Sequence, residues 1–176
     1  MIAKNDNRGL LEPIQLRGVV LPNRIVLSPM QMYMARDDGC MTDWHLVHLG
    51  KFASANFGTV FTEVLCVEKR GRSSYSDAGI WSDRQIPQLR KISDFIRSEG
   101  SVPAAQIGHC GPKSSRQRPF EGLQPLSICR NNNVNEKPWK IVSCSNVPAA
   151  PGYDKPHSLT GSEIELLIKK FGHAAQ

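Results

Sequence analysis

The feature that most constrains the fold is an alternation of strand-like and helix-like segments that repeats along the chain. Ile25-Val26-Leu27 is a nearly all-apolar run that fits a strand buried on both faces. Thr42-Asp43 can cap a helix carrying Trp44, Val47, Leu49, Phe52 and Ala53, and Gly58 closes that unit. Thr59 to Val67, with its alternating β-branched residues, reads as a second strand. Ser82-Asp83-Arg84-Gln85 has capping-box spacing ahead of Ile86, Leu89, Ile92, Phe95 and Ile96, one face of a helix that Gly100 ends. Val102 to Ile107 supplies a third strand. A βα unit recurring at about 40 residues calls for an α/β fold, a parallel sheet with helical crossovers. Three strands fit either an open parallel sheet or part of a (β/α)8 barrel, which needs eight strands in typically ~250 residues.

The flanks add less. Residues 1–8 form a polar leader, and two short apolar runs around Arg17-Gly18 suggest a hairpin before the first strand. Residues 112–158 are loop-like, rich in Pro and Asn, and too long for a plain connector. Thr160-Gly161-Ser162-Glu163 repeats the capping-box spacing, and Ile164, Leu167, Ile168 and Phe171 mark a third amphipathic helix.

Composition narrows the class. With 40% hydrophobic and 22% charged residues, the 176-residue chain is an ordinary globular domain. The net charge of +6 is mild and its basic residues are scattered, unlike the concentrated stripe of a nucleic-acid surface. No apolar run approaches the ~20 residues of a membrane span. Five cysteines without a C-x-x-C pair, and a start without a signal peptide, point to free thiols in a reducing, cytoplasmic setting.

The strand ends carry the chemistry. Ser28-Pro29-Met30 follows the first strand, Glu63-Val64 lies near the end of the second and Gln106 near that of the third. All fall on the carboxyl face of a parallel sheet, where α/β proteins place ligands. The amide of Gln106 offers a donor and an acceptor, which suits a ring with alternating carbonyl and N–H groups. The plainer reading is that Gln106 and Glu63 satisfy backbone groups at the strand ends.

Other patterns are weaker. His45 and His48 have metal-ligand spacing but no evident third ligand, and no metal site is expected. Gly111-Pro112-Lys113-Ser114 lacks P-loop spacing, and no G-x-G-x-x-G occurs. Cys66 and Cys110 read as small core residues, and His109 as a structural hydrogen-bonding group.

Asn23-Arg24-Ile25-Val26-Leu27-Ser28-Pro29-Met30, Trp44-His45-Leu46-Val47-His48-Leu49, Gly71-Arg72, Gly79-Ile80-Trp81-Ser82-Asp83 and Gln106-Ile107-Gly108-His109-Cys110-Gly111 occur in that order. This ordered set resembles the old yellow enzyme family of FMN-dependent NAD(P)H oxidoreductases, in particular its xenobiotic-reductase-like bacterial branch. The resemblance implies that residues 9–176 are the N-terminal part of a flavin-binding (β/α)8 TIM barrel: a hairpin plus about three βα units. It implies hydride transfer from NAD(P)H through FMN to the β-carbon of an activated alkene. Ser28, Pro29, Met30, Gln31, Val64 and Gln106 would line FMN, and Tyr33 would face the substrate.

Departures from the pattern accompany the likeness. Gln31 stands where this branch usually has a cysteine that tunes the flavin, so redox tuning should differ. Val64 replaces a smaller residue, and its extra methyls are expected to crowd the ring. Pro112 breaks the usual Gly-Arg-Lys, although Lys113 remains. The family's His-containing substrate motif, a flavin-side arginine and the phosphate grip would all lie beyond Gln176, so the catalytic residues are unassigned. The rival expectation is a non-catalytic remnant, or a half-barrel that needs another copy or a second chain, because unpaired strand edges and uncovered apolar faces seek partners.

Overall fold

The computed structural model describes residues 9–129 and 136–176; the polar leader of residues 1–8 lies outside the described residues. Strands β1 (Ile14–Leu16) and β2 (Val19–Leu21) pair antiparallel, as the apolar runs around Arg17-Gly18 require. Three further strands, β3 (Val26–Leu27), β4 (Thr59–Cys66) and β5 (Val102–Gly108), form a parallel sheet in the order β3-β4-β5.

Helix α1 (Asp43–Ser54) crosses from β3 to β4, and α2 (Ile86–Ser98) from β4 to β5. Each begins where a side chain satisfies backbone N–H groups that have no partner within the helix. At α1 the Thr42 N–H donates to Nδ1 of His45 at 3.0 Å, so histidine fills the usual glutamate slot of a capping box. Before α2, the Ser82 N–H donates to Oε1 of Gln85 at 3.0 Å, and a single 3-10 turn over Asp83–Gln85 leads into the helix. Ile92 and Ile96 of α2 are buried with Leu49, Ala53, Val60 and Leu65, forming the core between helices and sheet.

The expectation that Ile25-Val26-Leu27 is buried on both faces needs correction. Leu27 enters the core, but Val26 is 44% exposed. Val26 points to the face of the sheet opposite the core that Leu27 enters, on an edge strand.

The segment between β5 and the third helix is more structured than its composition indicates. It contains two 3-10 turns and a short parallel pair, β6 (Val142–Ser143) with β7 (His157–Ser158). Helix α3 (Gly161–Ala174) follows, capped by Thr160 and Glu163. None of its residues is buried, and Ile164, Leu166 and Ile168 are exposed.

A wall at the carboxyl ends of the strands

Side chains alternate across a sheet, so neighbours two apart share a face. Leu65, Pro103 and Ala105 line the groove beside α2. Val64, Cys66, Gln106 and Gly108 therefore project from the opposite face. Val64 and Gln106 are register partners on adjacent strands, as are Cys66 and Gly108. A register shift between Phe61 and Val64 precedes this set. Gly108 leaves room for its neighbour: a Cβ there would meet Cγ2 of Val64 at 2.5 Å.

Glu63, within that register shift, anchors the segment leaving β3. Its carboxylate accepts the Met32 N–H at 2.5 Å, and its other oxygen lies 3.5 Å from Nε2 of buried His45. Ser28 and Met30 of this segment are exposed, whereas Pro29 and Gln31 are half-buried. Gln106 is exposed, and the Gln31 amide nitrogen is buried without a hydrogen-bond partner among the described residues. Tyr33 is half-buried and sits at φ 60, a left-handed conformation that costs a side-chain-bearing residue on the order of 1–3 kcal/mol. Burial pushes its hydroxyl above the usual phenol range, with the Asp77 charge acting in the same sense.

Sequence reasoning missed the residues behind this wall. Arg72 is buried and donates to the carbonyls of Lys69, Asp37 and Tyr75 at 3.0, 2.8 and 3.1 Å. Its guanidinium lies 5.3, 5.6 and 5.5 Å from the ring centres of Tyr75, Trp81 and Trp139. Asp77 is fully buried and accepts from the Ser73 N–H at 2.5 Å, the Ser74 N–H at 3.1 Å and the Ser74 hydroxyl at 2.7 Å. Burial raises its pKa above the ordinary carboxylate value despite those donors. Ser73-Ser74 ahead of Asp77 was the available signal, since serines near an aspartate build local turns.

His109 takes the structural role expected of it. Its Nδ1 accepts the Gly111 N–H at 2.9 Å, and its Nε2 faces Glu68 at 2.9 Å. Glu68 also binds Arg70 and Lys170, which ties α3 to the strand ends. Burial alone would raise the Glu68 pKa, but its hydrogen bonds from His109, Lys170 and Arg70 win and hold it at about 2. Cys66 and Cys110 are free, like the other three cysteines. The Cys66 thiol donates to the Gly71 carbonyl at 3.6 Å, and its pairing with Cys110, together with burial, raises its pKa while the same pairing lowers that of Cys110.

An exposed Gln106 paired with apolar Val64, and a buried, unpartnered amide nitrogen on Gln31, suit a flat heterocycle with polar edges. The residues present thus fit a flavin ring. The chain matches the family described as NADH:flavin oxidoreductase / NADH oxidase over residues 9–176. It is 34% identical over 165 residues to an NADH:flavin oxidoreductase of Gibberella zeae, covering 93% of this chain and 39% of that protein. It is 30% identical over 168 residues to an NADPH dehydrogenase of Geobacillus sp., covering 95% and 43% respectively. The fold is similar to that of morphinone reductase in complex with tetrahydroNAD, with a TM-score of 0.75 and 21% identity over 95% of this chain and 45% of that one. The chain thus spans less than half the length of these relatives, and its sheet and crossovers are part of a (β/α)8 barrel.

Proposed function

Since the chain belongs to the NADH:flavin oxidoreductase / NADH oxidase family, whose cofactor is FMN, we propose that it forms one wall of an FMN site of old yellow enzyme type. The observation that carries this reading is the pairing of Val64 with Gln106 at the carboxyl ends of β4 and β5, with Gln106 exposed. Gln106 would hydrogen-bond the polar edge of the ring, one group donating and the other accepting. Ser28, Pro29, Met30 and Gln31 would flank the ring from the segment that Glu63 anchors. Val64 would supply an apolar contact, and Tyr33 would face the substrate. When bound, FMN supplies hydride transfer from NAD(P)H to an activated alkene.

The chain's own contribution is positional. Glu63 fixes the segment after β3, so Gln31 is not free to drift from the wall. Among the described residues no cationic cluster is assigned to the phosphate, and no general acid is assigned. A second reading, a half-barrel that is inactive without another chain, draws support from the exposed Val26 edge and the exposed apolar residues of α3.

The test is to purify the chain, add FMN, desalt, and record the visible spectrum. A retained flavin band that weakens at least tenfold in affinity on Gln106→Ala supports the proposal. A colourless desalted protein that is still folded by circular dichroism overturns unaided flavin binding and leaves the partner-dependent half-barrel.

A further inference from the structure

On the same face of the sheet as Val64 and Gln106, Cys66 meets Asp77 and Cys110, which brings two sulfur atoms and a carboxylate oxygen within 4.8 Å of one another. Cys66 and Asp77 are buried and Cys110 is half-buried. From this arrangement we propose a three-ligand site for a thiophilic divalent cation, Zn2+ by its chemistry, held by Cys66, Asp77 and Cys110.

The ligands come from separate parts of the chain, and each has its backbone fixed. The Cys66 N–H donates to the Ala78 carbonyl at 3.0 Å, and its own carbonyl accepts from Ile80 at 2.9 Å. The Cys110 N–H donates to the Gly71 carbonyl at 2.7 Å. Asp77 is oriented by the three Ser73 and Ser74 donors, the kind of supporting shell that fixes a ligating carboxylate. With metal–sulfur bonds of about 2.3 Å and metal–oxygen bonds of about 2.0–2.2 Å, a tetrahedral ion holds its ligands roughly 3.5–3.8 Å apart. The present spacing therefore needs only side-chain closure.

Ligand chemistry selects the ion. Two sulfurs and one carboxylate disfavour Mg2+ and Ca2+, which take oxygen sets, and favour Zn2+. Two thiolates and a carboxylate around a dication leave a single negative charge. The Arg72 charge favours the Cys66 thiolate and the Arg116 charge favours that of Cys110, so that charge is met within the fold. Binding would release the thiol protons to solvent. Three protein ligands leave the fourth position to water.

The test is a Co2+ titration of the 176-residue chain after chelator dialysis, in a non-thiol reductant. The expected result is a sulfur-to-cobalt charge-transfer band that saturates at one equivalent and is erased by Zn2+. It should vanish in Cys66→Ser and in Cys110→Ser, weaken at least tenfold in affinity in Asp77→Asn, and persist when Cys40, Cys129 and Cys144 are all replaced by serine. Absence of the band, or its survival in Cys66→Ser or Cys110→Ser, overturns the site. Should those variants fail to fold, alkylation of the unaltered chain decides. Zn2+ must slow labelling of Cys66 and Cys110 selectively, and equal labelling with and without it overturns the proposal. None of these readouts depends on flavin.

Discussion

At the scale of single residues, Val64 and Gly108 are fitted to each other by one methyl group. The Cγ2 of Val64 lies over Gly108, where a Cβ would sit 2.5 Å away. Gly108→Ala should therefore cost about 1–3 kcal/mol through overpacking. Adding Val64→Ala should return most of it, and denaturant unfolding of the single and double variants measures the coupling. Additive losses would mean that the two side chains do not compete for this space. Glu68 gives a pH prediction. Its folded value of about 2 lies below the ordinary 4.5, so its contribution is complete above about pH 4.5 and fades as pH falls toward 2. Amide protection in α3 should decline over that window and should be insensitive to it in Glu68→Gln. Val64 and Gln106 were legible because strand ends are readable from hydrophobic runs. Arg72 and the Glu68 cluster were not, because Asp37 lies 35 residues from Arg72 and Lys170 lies 102 from Glu68, and such partners leave no local pattern.

Among the elements, periodicity sufficed for what is long and amphipathic. Among the described residues, the three helices of eight residues or more and the three strands of the parallel sheet stand where apolar spacing and caps placed them. The pair β6–β7 was invisible, because two-residue strands carry no period. Periodicity also could not tell which apolar face finds cover: α2 buries Ile92 and Ile96, whereas α3 buries nothing. The two helices should consequently answer differently to substitution. Ile92→Ala removes packing from the core and should cost about 2–5 kcal/mol of global stability, read by chemical denaturation. Thr160→Ala deletes the cap that accepts the Glu163 N–H, at a local cost of about 1 kcal/mol. Hydrogen exchange should show that loss in α3 while the global transition stays put; a shifted global midpoint would mean that α3 folds as one unit with the sheet.

Over the whole molecule, the sheet ends at β3 with an exposed edge, and apolar side chains stand uncovered on β2, β3 and α3. Such a surface promotes association between chains. Val26→Lys places a charge on the open edge and should lower the concentration dependence of mass measured by light scattering. An unchanged mass would show that contacts lie elsewhere. Quite apart from association, the cage around Arg72 has an optical consequence. Of the three tryptophans, Trp81 and Trp139 flank that guanidinium, one just ahead of the turn into α2 and the other in the long segment before β6, while Trp44 stacks on His48 in α1. The chain therefore carries two built-in fluorophores whose emission reports on the loops behind the wall, and a third that reports on a crossover helix. Replacing Trp44 with phenylalanine would leave an intrinsic dye for watching those loops close or loosen, without any label attached.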